Sequence, residues 1–531
     1  MVVKSDNKLP AIPNNPEGSS LKEALPQVLA VAVKNVLLLG FGMTLGFPTI
    51  LIPSLQGSDE NEKISLGPEA ISWIGSINLI CVPVGCFFSG AATQPIGRKR
   101  AMQLVNIPFL TAWLLFHFST DVWQVFLALA LTGLSGGLLE APVLTYVAEI
   151  TTPRLRGILA STSTVSVISG ALIQFLLGTF FNWRNVALIS CTVPVMSFIL
   201  CFFVPESPTW LISKGRLEEA QKSIAWLRGW KKVDEINDEF QELHDHLKES
   251  NDADNKLTKL EAIKLFSQKK FLWPFSVVSF TFFLGYFTGM STLQTYAVKI
   301  FATLNSPIDK YYATIFLGVA QLAGCLVSVF LIHKVGKRKL NLLSLVGTGV
   351  AFLTVATYAF LIDVKYLDTQ TPTNVTETFE SDLVRNLKTQ TWIPITLLIG
   401  VAFFCHIGIR LLPWMLIGEV YSPDIRSTAS GFSGAVSYFF GFAANKTFLS
   451  MVSAITIPGT FWFYGAVGIV GAIVLHFVLP ETEGKTLFEI TEHFAGRSKM
   501  DNKVFKHKKQ LTGEVNEAYK PEKYEQFESR L

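Results

Sequence analysis

Charged residues are scarce in this sequence, and their scarcity argues against an ordinary soluble domain. Asp, Glu, Lys and Arg make up 16% of the 531 residues, whereas hydrophobic residues make up 50%. A soluble domain usually carries about 25% charged residues. The net charge of +4 is also too small to indicate binding to nucleic acid. The composition is that of a membrane protein.

Several other signals are missing. The six cysteines form no CxxC pair and no zinc-ligand spacing, which argues against a disulfide framework and against a metal site. Residues 1–27 lack the basic flank, short apolar core and cleavage site of a signal peptide, so we expect the first helix to be retained. The sequence shows no nucleophile beside a base and no phosphate-binding loop. Nothing in it therefore points to an enzyme or to a cofactor.

A short motif is present twice, once in each half of the chain. Glu149, Pro153 and Arg156 recur with the same spacing as Glu419, Pro423 and Arg426. Two further pairs keep the same order, namely Ile96-Gly97-Arg98-Lys99 with Val335-Gly336-Lys337-Arg338, and Pro205-Glu206-Ser207-Pro208 with Pro480-Glu481-Thr482. Charged motifs repeated between apolar segments are typical of a duplicated membrane bundle, which transporters use to alternate access to a central site.

Apolar runs of about 20 residues, long enough to cross about 30 Å of hydrocarbon, predict twelve transmembrane helices. They lie near 28–50, 70–91, 102–120, 123–147, 158–181, 184–204, 271–293, 311–333, 340–362, 392–417, 428–451 and 459–479. We therefore predict an all-α membrane protein with two pseudo-symmetric six-helix bundles, 28–204 and 271–479. Linker helices are expected in 205–270, between the two bundles. Residues 1–27 and 480–531 are expected to form terminal tails.

The distribution of Lys and Arg predicts the orientation. The positive-inside rule places the linker and both termini in the cytoplasm, because Lys and Arg crowd the connections on that side. The sequon Asn374-Val375-Thr376 then falls in an external loop, where Asn374 is a candidate glycosylation site.

The motifs, in this order around twelve spans, resemble those of the sugar porters of the major facilitator superfamily over about residues 28–492. They are Gly97-Arg98-Lys99, Tyr146 with Glu149 and Arg156, Pro205-Glu206-Ser207-Pro208, Pro413-Trp414 with Glu419, and Pro480-Glu481-Thr482-Glu483-Gly484. Stretches such as 205–230 look most like the insect facilitated trehalose transporters. The resemblance implies a carrier that needs no cofactor.

The resemblance also implies a gate of ion pairs at the cytoplasmic ends of the helices. Its members would be Arg98, Glu149, Arg156, Arg338, Glu419 and Arg426. Such pairs contribute only about 1 kcal/mol each when hydrated, which suits a gate that must open. Charge that only sets the topology is the alternative.

The substrate site implied by the resemblance departs from the family pattern. Positions that usually carry sugar-binding amides and a Trp are occupied here by Thr164, Tyr286, Ser291, Gln321 and Trp414, with Gln174 as a substitute donor. Amides suit sugars because one group both donates and accepts, so selectivity for monosaccharides is open. Proton-coupled members carry an Asp and an Arg where this sequence has Pro48 and approximately Leu129, which favours facilitated diffusion.

Glu140, His406 and Arg410 fall inside predicted helices 4 and 10, where an ionisable group costs about 2.5–3.5 kcal/mol and usually marks a pathway. Glu140 precedes Glu149 by nine residues, and Arg410 precedes Glu419 by nine. We expect Glu140 and Arg410 to pair across the cavity in one conformation. The alternatives are that Arg410 binds an anionic substrate, or that each group has a partner in its own half. Lys34 is expected to extend to the membrane interface.

Together these observations predict a monomeric, lipid-embedded facilitator that carries trehalose or a hexose across the plasma membrane. For such a carrier, His406 and Arg410 are further candidates for the substrate-binding cavity. Two alternatives stay open, a sensor that binds sugar without transporting it and a carrier of an organic anion that uses Arg410.

Overall fold

The computed structural model describes residues 21–58, 64, 66–254, 268–367, 389–421, 426–498 and 500–502. Asn374 lies outside these residues. The described part contains no strand, and it holds eleven helices that are long and apolar enough to cross a membrane. The prediction of an all-α membrane protein is confirmed.

The spans of the first half follow one another with short connections. They are α1 (Leu21–Pro53), α2 (Pro68–Ile96), α3 (Arg98–Phe118), α4 (Val122–Ile150), α5 (Pro153–Phe180) and α6 (Trp183–Phe203). Gly97 alone separates α2 from α3. Its φ is 103°, a backbone conformation that residues with a Cβ rarely adopt.

The second half repeats this order. Its first spans are α7 (Lys269–Phe287, continued by Met290–Thr295), α8 (Lys310–Val335), α9 (Lys337–Leu361) and α10 (Trp392–Val420). The long helix Arg426–Val478 breaks at Thr456, where φ is 65°. It therefore supplies two spans, α11 (426–455) and α12 (457–478), and the eleven apolar helices correspond to the twelve predicted ones.

Short helices lie between and after the spans. Pro208–Ser213, Leu217–Leu227 and Asn237–Asp254 follow α6, Ala297–Thr303 follows α7, and Leu487–Phe494 follows α12. The helices after α6 pack around Trp210, Ile224 and Phe240. Trp210 also donates from Nε1 to the carbonyl oxygen of Gln94 at 2.8 Å, which ties this segment to the first half.

α4 and α10 are interrupted at corresponding depths. α4 breaks at Leu139, between Val122–Leu138 and Glu140–Ile150, and α10 breaks between Trp392–Ile407 and Leu412–Val420. Ser344 of α9 repairs the second break, because its hydroxyl donates to Phe404 O at 2.7 Å and accepts from Ile409 N at 3.1 Å. The two breaks hold Glu140 and Arg410, the charges that the duplication relates.

Candidate functional site

A cluster of charged side chains lies where α2 meets α3, at what we call the charged end of the bundle. Arg98 donates from Nε and Nη2 to the two carboxylate oxygens of Glu149, at 3.0 and 2.9 Å. The Ser207 hydroxyl donates to the same carboxylate. The Glu206 carboxylate accepts from the backbone N–H groups of Arg98 and Lys99 at 3.0 and 2.9 Å, so it caps α3, where an anion is favoured by the helix dipole.

The second half builds the same cluster with a lysine. Lys337 follows Gly336 as Arg98 follows Gly97, and its Nζ donates to Glu419 and, at 3.0 Å, to Glu483. Glu481 caps α9 by accepting from the backbone N–H groups of Lys337 and Arg338 at 3.0 and 3.1 Å. In this half the cation on the repeated glutamate is therefore Lys337.

The other cations of the predicted gate have different surroundings. The Arg338 side chain donates to the carbonyl oxygen of His476. Arg156 is exposed and donates to its neighbour Thr151 O at 3.3 Å. Arg426 begins α11, and its side chain is outside the described part. The ion pairs of Arg98 and Lys337 each join helices of one half.

At the opposite end of the bundle, hydrogen bonds join the two halves directly. Thr49 of α1 donates to Gln294 O of α7 at 2.8 Å. Asn445 of α11 donates to Gly75 O of α2 at 2.8 Å, and Lys446 Nζ donates to the Ser72 hydroxyl at 2.7 Å. The Lys446 ammonium also lies 4.0 Å from the centre of a Trp73 ring. The halves are therefore held together at this end.

The two charges in the middle of the bundle have separate partners in this structure. Tyr438 of α11 donates its hydroxyl to Glu140 Oε1 at 2.9 Å. The Arg410 guanidinium lies 4.7 Å from the ring centre of Tyr286, and its Nη1 donates to Gly285 O at 3.4 Å. Glu140 thus bonds to the other half through a tyrosine, while Arg410 contacts its own half.

Aromatic rings surround these charges. Trp414, one turn after Arg410, packs edge-on against Phe282 with 5.0 Å between ring centres, and its ring lies 5.9 Å from that of Tyr438. Trp414 is partly exposed, so part of its ring faces open space. His406 is buried, and its Nδ1 lies 2.9 Å from Ala402 O of the same helix.

Of the remaining candidates for the substrate site, two are partly exposed and two are buried. Thr164 and Ser291 are partly exposed. Gln174 is fully buried inside the first half, where it accepts from the Ser190 hydroxyl at 3.4 Å. Gln321 is buried too, and its Nε2 donates to Gln294 Oε1 at 3.2 Å.

The structure draws attention to three further polar residues. The sequence analysis did not select two of them, and it placed the third wrongly. Tyr438 and Gln294 are uncharged and share their helices with other polar residues, so the signal that pointed to Glu140 and Arg410, an ionisable group inside a span, does not single them out. Lys34 is fully buried and donates to the Ser163 hydroxyl at 2.6 Å. The expectation that it extends to the interface is wrong, because α5 offers a hydroxyl within reach.

Comparison with known proteins gives a family and a set of relatives. A family model described as sugar (and other) transporter matches residues 52–494. The facilitated trehalose transporter Tret1 of Apis mellifera ligustica is 28% identical over 470 residues, which are 88% of this chain and 88% of that protein. Tret1 of Bombyx mori is also 28% identical, over 87% of this chain and 86% of its own length.

Solved structures share the architecture. The partially occluded inward-open conformation of the xylose transporter XylE from E. coli has a TM-score of 0.67 at 18% identity, covering 87% of this chain and 99% of that one. A peptide transporter POT in complex with sulfate has a TM-score of 0.56 at 12% identity, over 88% of this chain and 95% of that one. At these identities the matches concern the fold alone.

Proposed function

The chain belongs to the family of sugar (and other) transporters, and from this membership we propose that it carries trehalose or a hexose down its gradient by alternating access. It is a multi-pass membrane protein and a transporter rather than an enzyme. The resemblance drawn from the motifs is thereby confirmed. The trehalose proposal draws on relatives that are 28% identical and named facilitated trehalose transporters.

One observation supports alternating access above the others. Hydrogen bonds from Thr49, Asn445 and Lys446 join the halves at one end of the bundle. At the charged end the pairs of Arg98 and Lys337 stay within their own halves. A carrier whose halves rock about a central site is expected to close one end at a time. We propose that the charged end faces the cytoplasm and that the protein resides in the plasma membrane, with both termini inside.

The proposal of uncoupled transport rests on two positions. Pro48 of α1 and Leu129 of α4 are both buried, and neither side chain can take up a proton. Proton-coupled relatives use an ionisable pair at such positions, as the family resemblance implies. Without that pair, downhill movement of the sugar is the expected activity.

Flux into vesicles tests this function directly. Purified protein in liposomes should take up labelled trehalose or glucose to the external concentration, with and without an imposed proton gradient. Trp414→Ala should lower the uptake severalfold, because the partly exposed ring is the apolar surface available to a sugar. Trp392→Ala is the matched control, since Trp392 begins the same helix and is 57% exposed.

Three outcomes would contradict the proposal. Saturable sugar binding without uptake would indicate a sensor. Accumulation above the external concentration under a proton gradient would indicate a symporter. Equal effects of Trp414→Ala and Trp392→Ala would remove Trp414 from the site.

A carrier of an organic anion is a second candidate, and Arg410 favours it. Within the described residues its side chain contacts Tyr286 and Gly285 O but no carboxylate. An unpaired cation in the middle of a membrane bundle is typical of a substrate pathway. Glucuronate uptake that Arg410→Gln abolishes, with trehalose uptake unchanged, would support this candidate over a neutral sugar.

A further inference from the structure

The hydrogen bond between Tyr438 and Glu140 joins the two halves in the middle of the bundle. Its partners are 298 residues apart, one in α11 and one at the break of α4. The other bonds described between the halves involve Thr49, Asn445 and Lys446, and they lie at the end away from the charged clusters. The central bond is therefore placed at the depth of the candidate substrate site.

Glu140 is an unusual acceptor for that position. Across the described part of the chain, its carboxylate has one hydrogen-bond donor, Tyr438, and no cation within ion-pair distance. The Glu140 side chain is partly exposed, and Oε2 is not among the buried atoms that lack a partner. One oxygen is thus held by the phenol, while the other is not fully buried and has no donor among the described residues.

The surroundings suit a polyhydroxyl ligand. A carboxylate can accept from two hydroxyls at once, and a sugar presents vicinal hydroxyls as donors of the same kind as a phenol. The partly exposed ring of Trp414 lies 5.9 Å from the ring of Tyr438, so an apolar face stands beside the carboxylate. Most of the amides that serve this purpose in the resembled family are replaced here, which leaves Glu140 as a strong acceptor in the region.

We propose that Tyr438 and Glu140 form a latch between the halves and that a sugar hydroxyl releases it by replacing the Tyr438 hydroxyl on the carboxylate. The proposal rests on the proposed sugar transport for its ligand, but the latch itself does not depend on which sugar is carried. Release frees α4 from α11. A ligand shifts a conformational equilibrium only through its differential affinity for the two states, and exchange of one donor for another supplies that difference.

Distances between spin labels report the latch. Phe181 and Ile308 lie in connections at the end where the halves are joined, one in each half, and are 47% and 43% exposed. Phe181→Cys and Ile308→Cys carry the labels on a background whose reactive native cysteines are replaced, in lipid nanodiscs. Tyr438→Phe removes only the hydroxyl. Tyr421→Phe is the matched control, because the buried Tyr421 hydroxyl pairs with Ser433 of its own half.

Without sugar, Tyr438→Phe should raise the ratio of long to short label distances about fivefold or more, since a hydrogen bond to a charged group is lost. Tyr421→Phe should leave the ratio unchanged. Saturating trehalose should shift the wild type in the same direction, and it should shift Tyr438→Phe much less. Glu140→Ala, which removes the acceptor, provides a second route to the same result if Tyr438→Phe yields too little folded protein.

Identical distance distributions for wild type and Tyr438→Phe without sugar would overturn the latch. Equal shifts by trehalose in both proteins would overturn release by the sugar. If the wild type neither binds nor transports any sugar in vesicles, the proposed function fails, whereas the measurement without sugar still decides whether the bond holds the halves together.

Discussion

The repeated glutamates, Glu149 and Glu419, are paired with different cations in the two halves. Arg98 binds Glu149 through two parallel N–H groups, whereas Lys337 shares one ammonium between Glu419 and Glu483. The planar guanidinium fixes the geometry of its carboxylate, and the ammonium does not. The first half should therefore hold its charged cluster more rigidly.

Arg98→Ala should destabilise the protein strongly. Its side chain is 8% exposed and that of Glu149 is 16% exposed, so removing the cation leaves a mostly buried carboxylate unpaired, at a cost of about 3 kcal/mol. Thermal unfolding in detergent measures the loss. Arg156→Ala is the control, because exposed Arg156 has Thr151 O as its one acceptor among the described residues, and it should change stability by less than about 0.5 kcal/mol. Equal effects of the two substitutions would refute this assignment.

Glu483 should make the second cluster sensitive to acid. Burial alone would raise the pKa of this carboxyl, but Lys337 and His333 lower it below its usual value. A carboxylate with a depressed pKa stabilises the fold above its unfolded pKa, and the contribution is lost as the pH falls through the folded pKa. The melting temperature of the wild type should therefore fall as the pH is lowered below about 4.3, the ordinary pKa of a glutamate. In Glu483→Gln it should fall less, and a parallel decline would contradict the prediction.

The repeat in the sequence locates some of these residues and cannot locate others. Aligning Gly97 with Gly336 is enough to place Arg98 and Lys337 at equivalent helix starts, because the turn and the helix N-terminus are local features. Tyr438 and Gln294 are different. Their partners, Glu140 and Gln321, lie on other helices, and the contacts depend on how the helices are packed.

Among the helices, the breaks of α4 and α10 have the clearest functional consequence. Glu140 directly follows the break of α4, and Arg410 lies within the break of α10. In hydrocarbon a broken helix must satisfy its free backbone groups from neighbouring side chains. Ser344 of α9 does so for α10 by bonding Phe404 O and Ile409 N. The position of Arg410 therefore depends on a residue of another helix.

Ser344→Ala should destabilise the second half. The substitution leaves one backbone donor and one backbone acceptor without their partner, which costs about 1–3 kcal/mol for a buried group. Ser276→Ala is the control, since exposed Ser276 donates to Leu272 O of its own helix. The unfolding temperature of each variant in detergent gives the comparison. If the Ser344→Ala protein is as stable as the Ser276→Ala protein, the backbone groups at the break do not need the Ser344 hydroxyl.

The hydropathy pattern predicts the helices more completely than their interruptions. Length and apolar content decide whether a segment spans the membrane, and both are local properties of the sequence. Hydropathy separates the spans on the two sides of Thr456, but it does not predict the break at Leu139, which lies inside the single predicted span 123–147. Pro413 near the α10 break and Gly97 between α2 and α3 are the exceptions, since their backbone preferences show in the sequence.

For the whole molecule, the contacts between the halves define the conformation. At the end opposite the charged clusters, Thr49 and the Asn445 amide donate hydrogen bonds to backbone carbonyl oxygens of the other half. The Lys446 ammonium lies over the ring of Trp73 at the same end. Sequence symmetry predicts that two halves exist but not which ends touch, because the same helices must accommodate both arrangements. The choice depends on small differences in free energy between states.

Lys446→Met should favour opening at that end. The substitution removes the hydrogen bond to Ser72 and the contact with Trp73 while it keeps most of the side-chain volume. Labels at Phe181 and Ile308 should then show a larger population of long distances, by about threefold to tenfold for a loss of about 1 kcal/mol. Lys310→Met is the control, because Lys310 lies near the ring of Tyr311 in its own half. A larger effect from the control would contradict this view.

Gly97 and Gly336 are each the only residue between two successive spans. α2 ends at Ile96 and α3 starts at Arg98, while α8 ends at Val335 and α9 starts at Lys337. α2 itself consists of a short helix, Pro68–Ile74, and a longer one, Ile77–Ile96, with a turn at Gly75 and Ser76 between them. The contacts of Ser72 and Gly75 with α11 therefore lie at and before this turn. A tilt of Ile77–Ile96 reaches the start of α3 and the Arg98 pair through Gly97 alone.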